Sequence, residues 1–565
     1  MMNFQDMPYE RPDLEQVKTE FNGLLKEFTA AKSFEEQDAS LAAINKLRSR
    51  VDTQCSLVYI RHSIDTNDEY YKKEQEYVDE IMPEMQGLQT ELYRELVKAT
   101  FRSELEEKWG GHLFRLADVA LKTFDPEIIG DLQRENKLTT EYNQLIASAK
   151  IDFQGEELTL SELTPYEMNP DRTTRKAAAE AKFGFLSSHE ADFDRIYDEL
   201  VQIRTKMAKK LGYDSFTELA YARMSRTDYG AEEVARFREQ VVESIVPAAT
   251  RLRQRQKERI GVEELNYYDE PFSFSTGNPS PKGDPDWIIE NGEKMYRELS
   301  PETDEFFTFM KKYNLMDLLS RKGKQSGGYC AGLSDYKAPF IFANFNGTSD
   351  DIDVLTHEAG HAFQGYESRN FEVPEYAFPT MEAAEIHSMS MEFFTWPWME
   401  LFFKEDVEKY KFNHLASGIL FIPYGAAVDE FQHYVYDTPE ASPEERKAKW
   451  REIERKYLPH RNYESNSYLE GGGYWQRQGH IFGVPFYYID YTLAQICAFQ
   501  YWKKMNDDRD EAWNSYLSLC KAGGSRSFTG LTELAGLDSP FEKGCVDAVI
   551  GDMEEWLNKV DDKAL

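Results

Sequence analysis

Cysteine is scarce in this 565-residue chain: five residues, Cys55, Cys330, Cys497, Cys520 and Cys545, odd in number and widely scattered. That argues against a disulfide scaffold and a cysteine-based zinc knuckle. Long apolar runs are missing too. The longest, residues 418–428, is broken by Pro423 and Gly425 and falls well short of the ~20 residues a membrane helix needs. Residues 1–14 carry acids and two prolines but no apolar centre, so no secretory signal is read there. Basic residues are in deficit, with 66 Lys+Arg against 101 Asp+Glu and a formal net charge of −35. A phosphate backbone or an anionic bilayer would repel such a surface, so neither nucleic acid nor membrane is an expected partner. Together these absences point to a soluble protein of a reducing compartment, expected in the cytoplasm.

What is present is mostly helix. Hydrophobic content of 41% and aromatic content of 14% are too rich for a disordered chain. Residues 14–28, 34–54, 69–98, 171–207 and 231–257 place apolar side chains every three or four positions between charges. Thr164-Pro165 and Asn169-Pro170 break the pattern, and a soft boundary is expected near residue 180, giving an N-terminal helical domain (1–180) and a second one (181–565). Residues 271–286, rich in Pro and Gly, read as loop. Residues 462–483, with Gly471-Gly472-Gly473, read as a flexible loop. Pro339-Phe340-Ile341-Phe342-Ala343-Asn344-Phe345, closed by Asn346-Gly347, reads as a strand at a sheet edge.

The chemistry concentrates in Thr356-His357-Glu358-Ala359-Gly360-His361. His357 and His361 are one turn apart on one helix face, so both imidazoles can reach a single zinc at about 2.0–2.1 Å. Glu358 follows the first of them and lies beside the metal without binding it, where it can take a proton from a water the metal holds. With ten histidines in the chain, this pattern is expected by chance roughly 0.02 times. Gly360 costs a helix roughly 1 kcal/mol against Ala, which hints that something approaches closely there. A catalytic zinc wants a third protein ligand. In Glu382-Ala383-Ala384-Glu385-Ile386-His387-Ser388, Glu382 and Glu385 lie on nearly the same face, and spacing leaves both open. Glu392, one heptad after Glu385, is a candidate to accept a ligand imidazole N–H. The other histidines, His387 and His414 among them, show no ligand spacing and are read as structural, and Cys330 as a packed thiol.

His357-Glu358-Ala359-Gly360-His361, followed 24 residues later by Glu385-Ile386-His387-Ser388, resembles the HExxH…ExxS signature of thimet-oligopeptidase-like zinc peptidases. Gly327-Gly328-Tyr329-Cys330 and the Phe-rich lead-in resemble the oligoendopeptidase F branch. The likeness runs from about residue 171 onward, and the first ~170 residues match only in being helical. It implies Glu385 as third ligand, one zinc per chain and a catalytic domain over 181–565. It also implies a mainly α, two-lobed zincin with a small sheet beside the active-site helix and a deep channel that admits short unstructured peptides. By the same likeness His480, Tyr488 and Tyr491 map to donors that stabilise the oxyanion, and this chain departs from the thimet pattern at Val484-Pro485-Phe486, which leaves Tyr487 and Tyr488 open. Gly328, Tyr329, Ala343 and Phe345 are expected along the substrate, since strand 340–345 could pair with an extended peptide. The expected activity is zinc endopeptidase. A carboxypeptidase and a non-catalytic peptide-binding helical scaffold are the alternatives.

Overall fold

A computed structural model describes residues 2–160, 162–321, 323–325 and 327–565. The charged, periodic segments form helices as expected, with starts fixed by side-chain caps: Asp13 accepts from the Gln16 backbone N–H and Ser33 from that of Glu36. The fold is mainly α. Leu14–Ala30, Phe34–Ile64 and Glu69–Leu96, with two shorter helices, share a core of their own around Phe21, Leu41 and Phe114. A larger core takes in most of the rest of the chain together with Phe4, Leu57 and Ile60, and a small third cluster forms around Ile151, Phe153 and Leu163. Residue 180 lies inside the helix Arg172–Ser188, and Phe183 on that helix belongs to the larger core.

Strands are few. β1 (Ile151–Phe153) and β2 (Glu156–Leu158) form a hairpin. β3 (Met316–Leu319), β4 (Tyr329–Leu333) and β5 (Ala338–Phe345) form a three-stranded sheet of order β3-β5-β4. β5 therefore corrects the edge-strand expectation. It is the middle strand, parallel to β3 and antiparallel to β4. Ala343 and Phe345, expected along the substrate, are buried in it. Its periodicity is that of a strand buried on both faces, where almost every side chain is apolar. Pro339 is tolerated as its second residue, opposite Gly332. The edge strands are β3 and β4, with Gly328 exposed just before β4 and Tyr329 half-buried.

A second correction concerns residues 462–483. They are not a flexible loop but three short helical turns, Ser467–Glu470, Tyr474–Arg477 and Gly479–Gly483, whose Trp475, Ile481 and Phe482 are buried. The glycines serve close packing: a Cβ on Gly473 would lie 2.3 Å from the Tyr468 ring.

Four helices frame the site. The HExxH helix (Asp350–Glu367) follows β5 through the Asn346-Gly347 turn, where Asp351 accepts both turn N–H groups at 2.8 Å. Asp350, Asp351 and Asp353 in its first turn suit the positive end of the helix. Next come the ExxS helix (Met381–Phe394), the long helix Val407–Asp437 and the tyrosine helix (Tyr488–Asp507).

Candidate active site

Gly360 explains how the first two helices meet. A Cβ there would stand 2.6 Å from Ser388 Cα and 2.7 Å from the His387 carbonyl oxygen. The helices touch backbone to backbone at that point, and no residue larger than glycine fits without movement. The contact brings the residue one turn before Ser388 opposite the two histidines. Glu385 Oε2 lies 3.2 Å from His357 Nε2 and 3.5 Å from His361 Nε2. Tetrahedral bonds of 2.0–2.1 Å imply ligand–ligand separations of about 3.3 Å, which these two distances match, and the three ligand atoms all lie within 4.8 Å of one another, a group that could hold a metal ion.

The donor set fits as well. His357 Nδ1 is hydrogen-bonded to Glu392 Oε1 at 2.7 Å, which leaves Nε2 with its lone pair for a metal. Ser388 Oγ donates to Glu385 Oε2 at 2.9 Å and the Tyr487 hydroxyl to Glu385 Oε1 at 3.1 Å. The histidines hold the Glu385 carboxyl well below the usual range despite its burial. Glu382, the other acid on that face, is otherwise engaged: it accepts from the Tyr229 hydroxyl at 2.9 Å and faces Arg226. It is not among the converging atoms.

Glu358 sits beside this cluster, buried, with Oε2 unpartnered. Burial raises its pKa, opposed by His357 and His361 and reinforced by the charges of Glu385 and Glu392. The chain entering β4 passes beside it at Gly328, where a Cβ would stand 3.4 Å from Glu358 Oε1, in ordinary contact. Cys330 on β4 is half-buried, and burial together with the Glu358 charge pushes its thiol up, the reverse of what a nucleophile needs.

A cavity of about 430 Å³ is lined by Glu392, the partner of His357, and by His414, Phe421, His480, Tyr488 and Tyr491. The structure thus gathers His480, Tyr488 and Tyr491 at one wall. Their rings contact each other, with centroids 4.9 Å (His480–Tyr488) and 5.8 Å (His480–Tyr491) apart. His480 Nδ1 is paired with Gln478 Nε2 at 2.8 Å. Both tyrosines keep their protons, because burial raises them, Tyr488 to about 12. A second hollow of about 360 Å³, with Arg253 and Arg259 in its wall, shares Ser417 and Phe421 with the first.

The structure resolves one choice the sequence leaves open, between Tyr487 and Tyr488, and adds one participant, His414, that the sequence reads as structural. Tyr487 turns to Glu385 while its neighbour Tyr488 lines the cavity. His414 hydrogen-bonds the far oxygen of Glu392 at 2.7 Å. No local spacing announces either.

Residues 166–276 and 302–549 match Peptidase family M3, and residues 4–124 match the Peptidase M3 N-terminal domain. The chain belongs to peptidase family M3. It falls in the oligoendopeptidase F branch and is a peptide hydrolase. The N-terminal match corrects the expectation that likeness begins near residue 171. A solved structure of PZ peptidase A with an inhibitor superposes at TM-score 0.95, with 61% identity over 99% of this chain and 100% of that one. Oligopeptidase PepF of Bacillus subtilis (strain 168) is 22% identical over 466 residues, 76% of this chain and 67% of its own length. An oligoendopeptidase F homolog of Lactococcus lactis subsp. lactis (strain IL1403) is 24% identical over 386 residues, 65% of this chain and 60% of its own length. The chain spans roughly two thirds of these curated relatives.

Proposed function

We propose that this M3 peptidase cuts internal bonds of short unstructured oligopeptides with one zinc ion held by His357, His361 and Glu385. A single observation carries the reading: three ligand atoms at metal spacing, with the unpartnered Glu358 carboxylate beside them. When bound, the zinc would polarise the scissile carbonyl and acidify a water. Glu358 takes the proton from the attacking water and delivers it to the leaving amine, and its burial favours that exchange by raising its basicity. His480 and Tyr491, with Tyr488 beside them, donate hydrogen bonds to the oxygen that becomes negative. The substrate lies extended along Gly328 and Tyr329 at the β4 edge, where backbone pairing gives affinity without reading side chains.

The cytoplasm is the compartment that fits. All five cysteines are free, and no described helix is long and apolar enough to cross a membrane. The net charge of −35 disfavours a nucleic-acid partner.

The test is an internally quenched peptide blocked at both ends, given to wild type and Glu358→Ala, with zinc quantified in each. Cleavage by wild type alone, with one zinc per chain in both proteins, is expected, and general-base loss costs about 10²–10⁴-fold in kcat. Cleavage only after a terminus is freed would reassign the chain as an exopeptidase. Zinc without hydrolysis of any peptide would leave a binding role.

A further inference from the structure

The metal cluster does not end at Glu392. Glu392 Oε1 meets His357 Nδ1 at 2.7 Å and Glu392 Oε2 meets His414 Nε2 at 2.7 Å. His414 Nδ1 in turn accepts from the Trp396 indole N–H at 3.1 Å. Indole nitrogen is a donor only. His414 Nδ1 is therefore the bare nitrogen, and its proton sits on Nε2, aimed at Glu392. Each carboxylate oxygen then accepts one N–H, from His357 on one side and His414 on the other. The His414 ring has little freedom to turn. Tyr410 stacks on it at 5.6 Å and 18°, the Phe393 edge lies 4.9 Å away, and the Tyr410 hydroxyl is tied to Asp353 Oδ1 at 2.6 Å.

We propose that His414 is a positioning residue for the metal site, acting through a Trp396–His414–Glu392–His357 relay that fixes the tautomer and orientation of His357. His414 contacts none of the three ligand atoms. Its effect passes through Glu392, which without His414 is held from one side only and can rotate away from His357. The relay starts outside the two ligand helices: Trp396 follows the ExxS helix, and His414 belongs to the long helix Val407–Asp437. The long helix therefore helps hold a ligand it does not carry.

The inference rests on the His357–His361–Glu385 metal reading, and zinc affinity separates the two. The zinc dissociation constant is measured by chelator competition on the full chain for wild type, His414→Phe, His414→Gln and Trp396→Phe, alongside thermal stability without metal. His414→Phe keeps the ring's bulk but no hydrogen bond, and its zinc affinity is expected to fall about 10–100-fold, the usual cost of losing an outer partner. His414→Gln can still accept from Trp396 and donate to Glu392, and is expected to stay close to wild type. Trp396→Phe releases the tautomer and is expected to fall between them.

Wild-type zinc affinity in His414→Phe overturns the relay, as does a loss in His414→Gln equal to that in His414→Phe, since bulk alone would then matter. Should His414→Phe fail to fold, Trp396→Phe decides: zinc affinity equal to wild type overturns the relay. A wild type that binds no zinc at all would remove both this inference and the metal reading beneath it.

Discussion

The two walls of the cleft are built by different rules. On the metal wall, His357 and His361 are placed by one helical turn and Glu385 by one backbone contact at Gly360. On the facing wall, the order comes from a turn that is not helical. Phe486 sits there at φ 67, a left-handed conformation costly for a bulky residue. Its N–H donates to Gln432 Oε1 at 2.9 Å and its carbonyl accepts from Arg226 at 2.7 Å. Arg226 also pairs with Asp490 at 2.5 Å inside the tyrosine helix. Local periodicity sets the first wall, and partners far along the chain set the second.

If the facing wall supplies the oxyanion donors, its loss strikes turnover and leaves the metal alone. Tyr491→Phe is expected to lower kcat about 10²–10³-fold, the cost of one oxyanion donor, with zinc content unchanged and KM little altered. Steady-state kinetics on the blocked peptide with parallel zinc analysis measures this. A Tyr491→Phe protein that turns over at the wild-type rate would return the ring to a packing role.

The metal wall is expected to fail in the opposite way. Gly360→Ala adds one methyl group against Ser388 Cα and the His387 carbonyl, neither of which can swing aside. Overpacking of this kind costs about 1–3 kcal/mol, against roughly 1 kcal/mol gained from alanine's better helix propensity. A lower melting temperature without metal and a weaker zinc affinity are expected together, because the helices separate and Glu385 moves with them. A stabilised Gly360→Ala would show that the two helices can part at no cost.

The same contrast explains what the sequence disclosed. HExxH and ExxS are legible because helix periodicity alone puts their side chains on known faces. The choice between Glu382 and Glu385 is not, since both share a face and the distinction comes from Tyr229, more than 150 residues away. The edge of the sheet was misplaced because strand order is a long-range fact. Phe340 to Phe345 read as a strand, but nothing local says that β3 and β4 close both its sides. Gly471-Gly472-Gly473 mimics a flexible loop because close approach and flexibility call for the same residue. His414 carries no local mark at all, lying 22 residues beyond the acid it holds.

Tyr487 is where the two walls join, and it gives the smallest and sharpest test. It stands on the facing wall, one residue after Phe486, yet its hydroxyl donates to Glu385 Oε1 at 3.1 Å. It should therefore behave as part of the metal wall. Tyr487→Phe removes one of two hydroxyls on Glu385 and leaves Ser388 Oγ on Oε2 at 2.9 Å. With that second anchor in place the loss of zinc affinity is expected near the lower end of the usual range, about 10-fold. At saturating zinc, kcat should then lie far closer to wild type than that of Tyr491→Phe. Chelator competition and zinc-dependent kinetics on the two variants side by side measure both quantities. A Tyr487→Phe protein with wild-type zinc affinity and a kcat as low as that of Tyr491→Phe would place Tyr487 with the oxyanion donors, and the division between the walls would run through Glu385 rather than between Tyr487 and Tyr488.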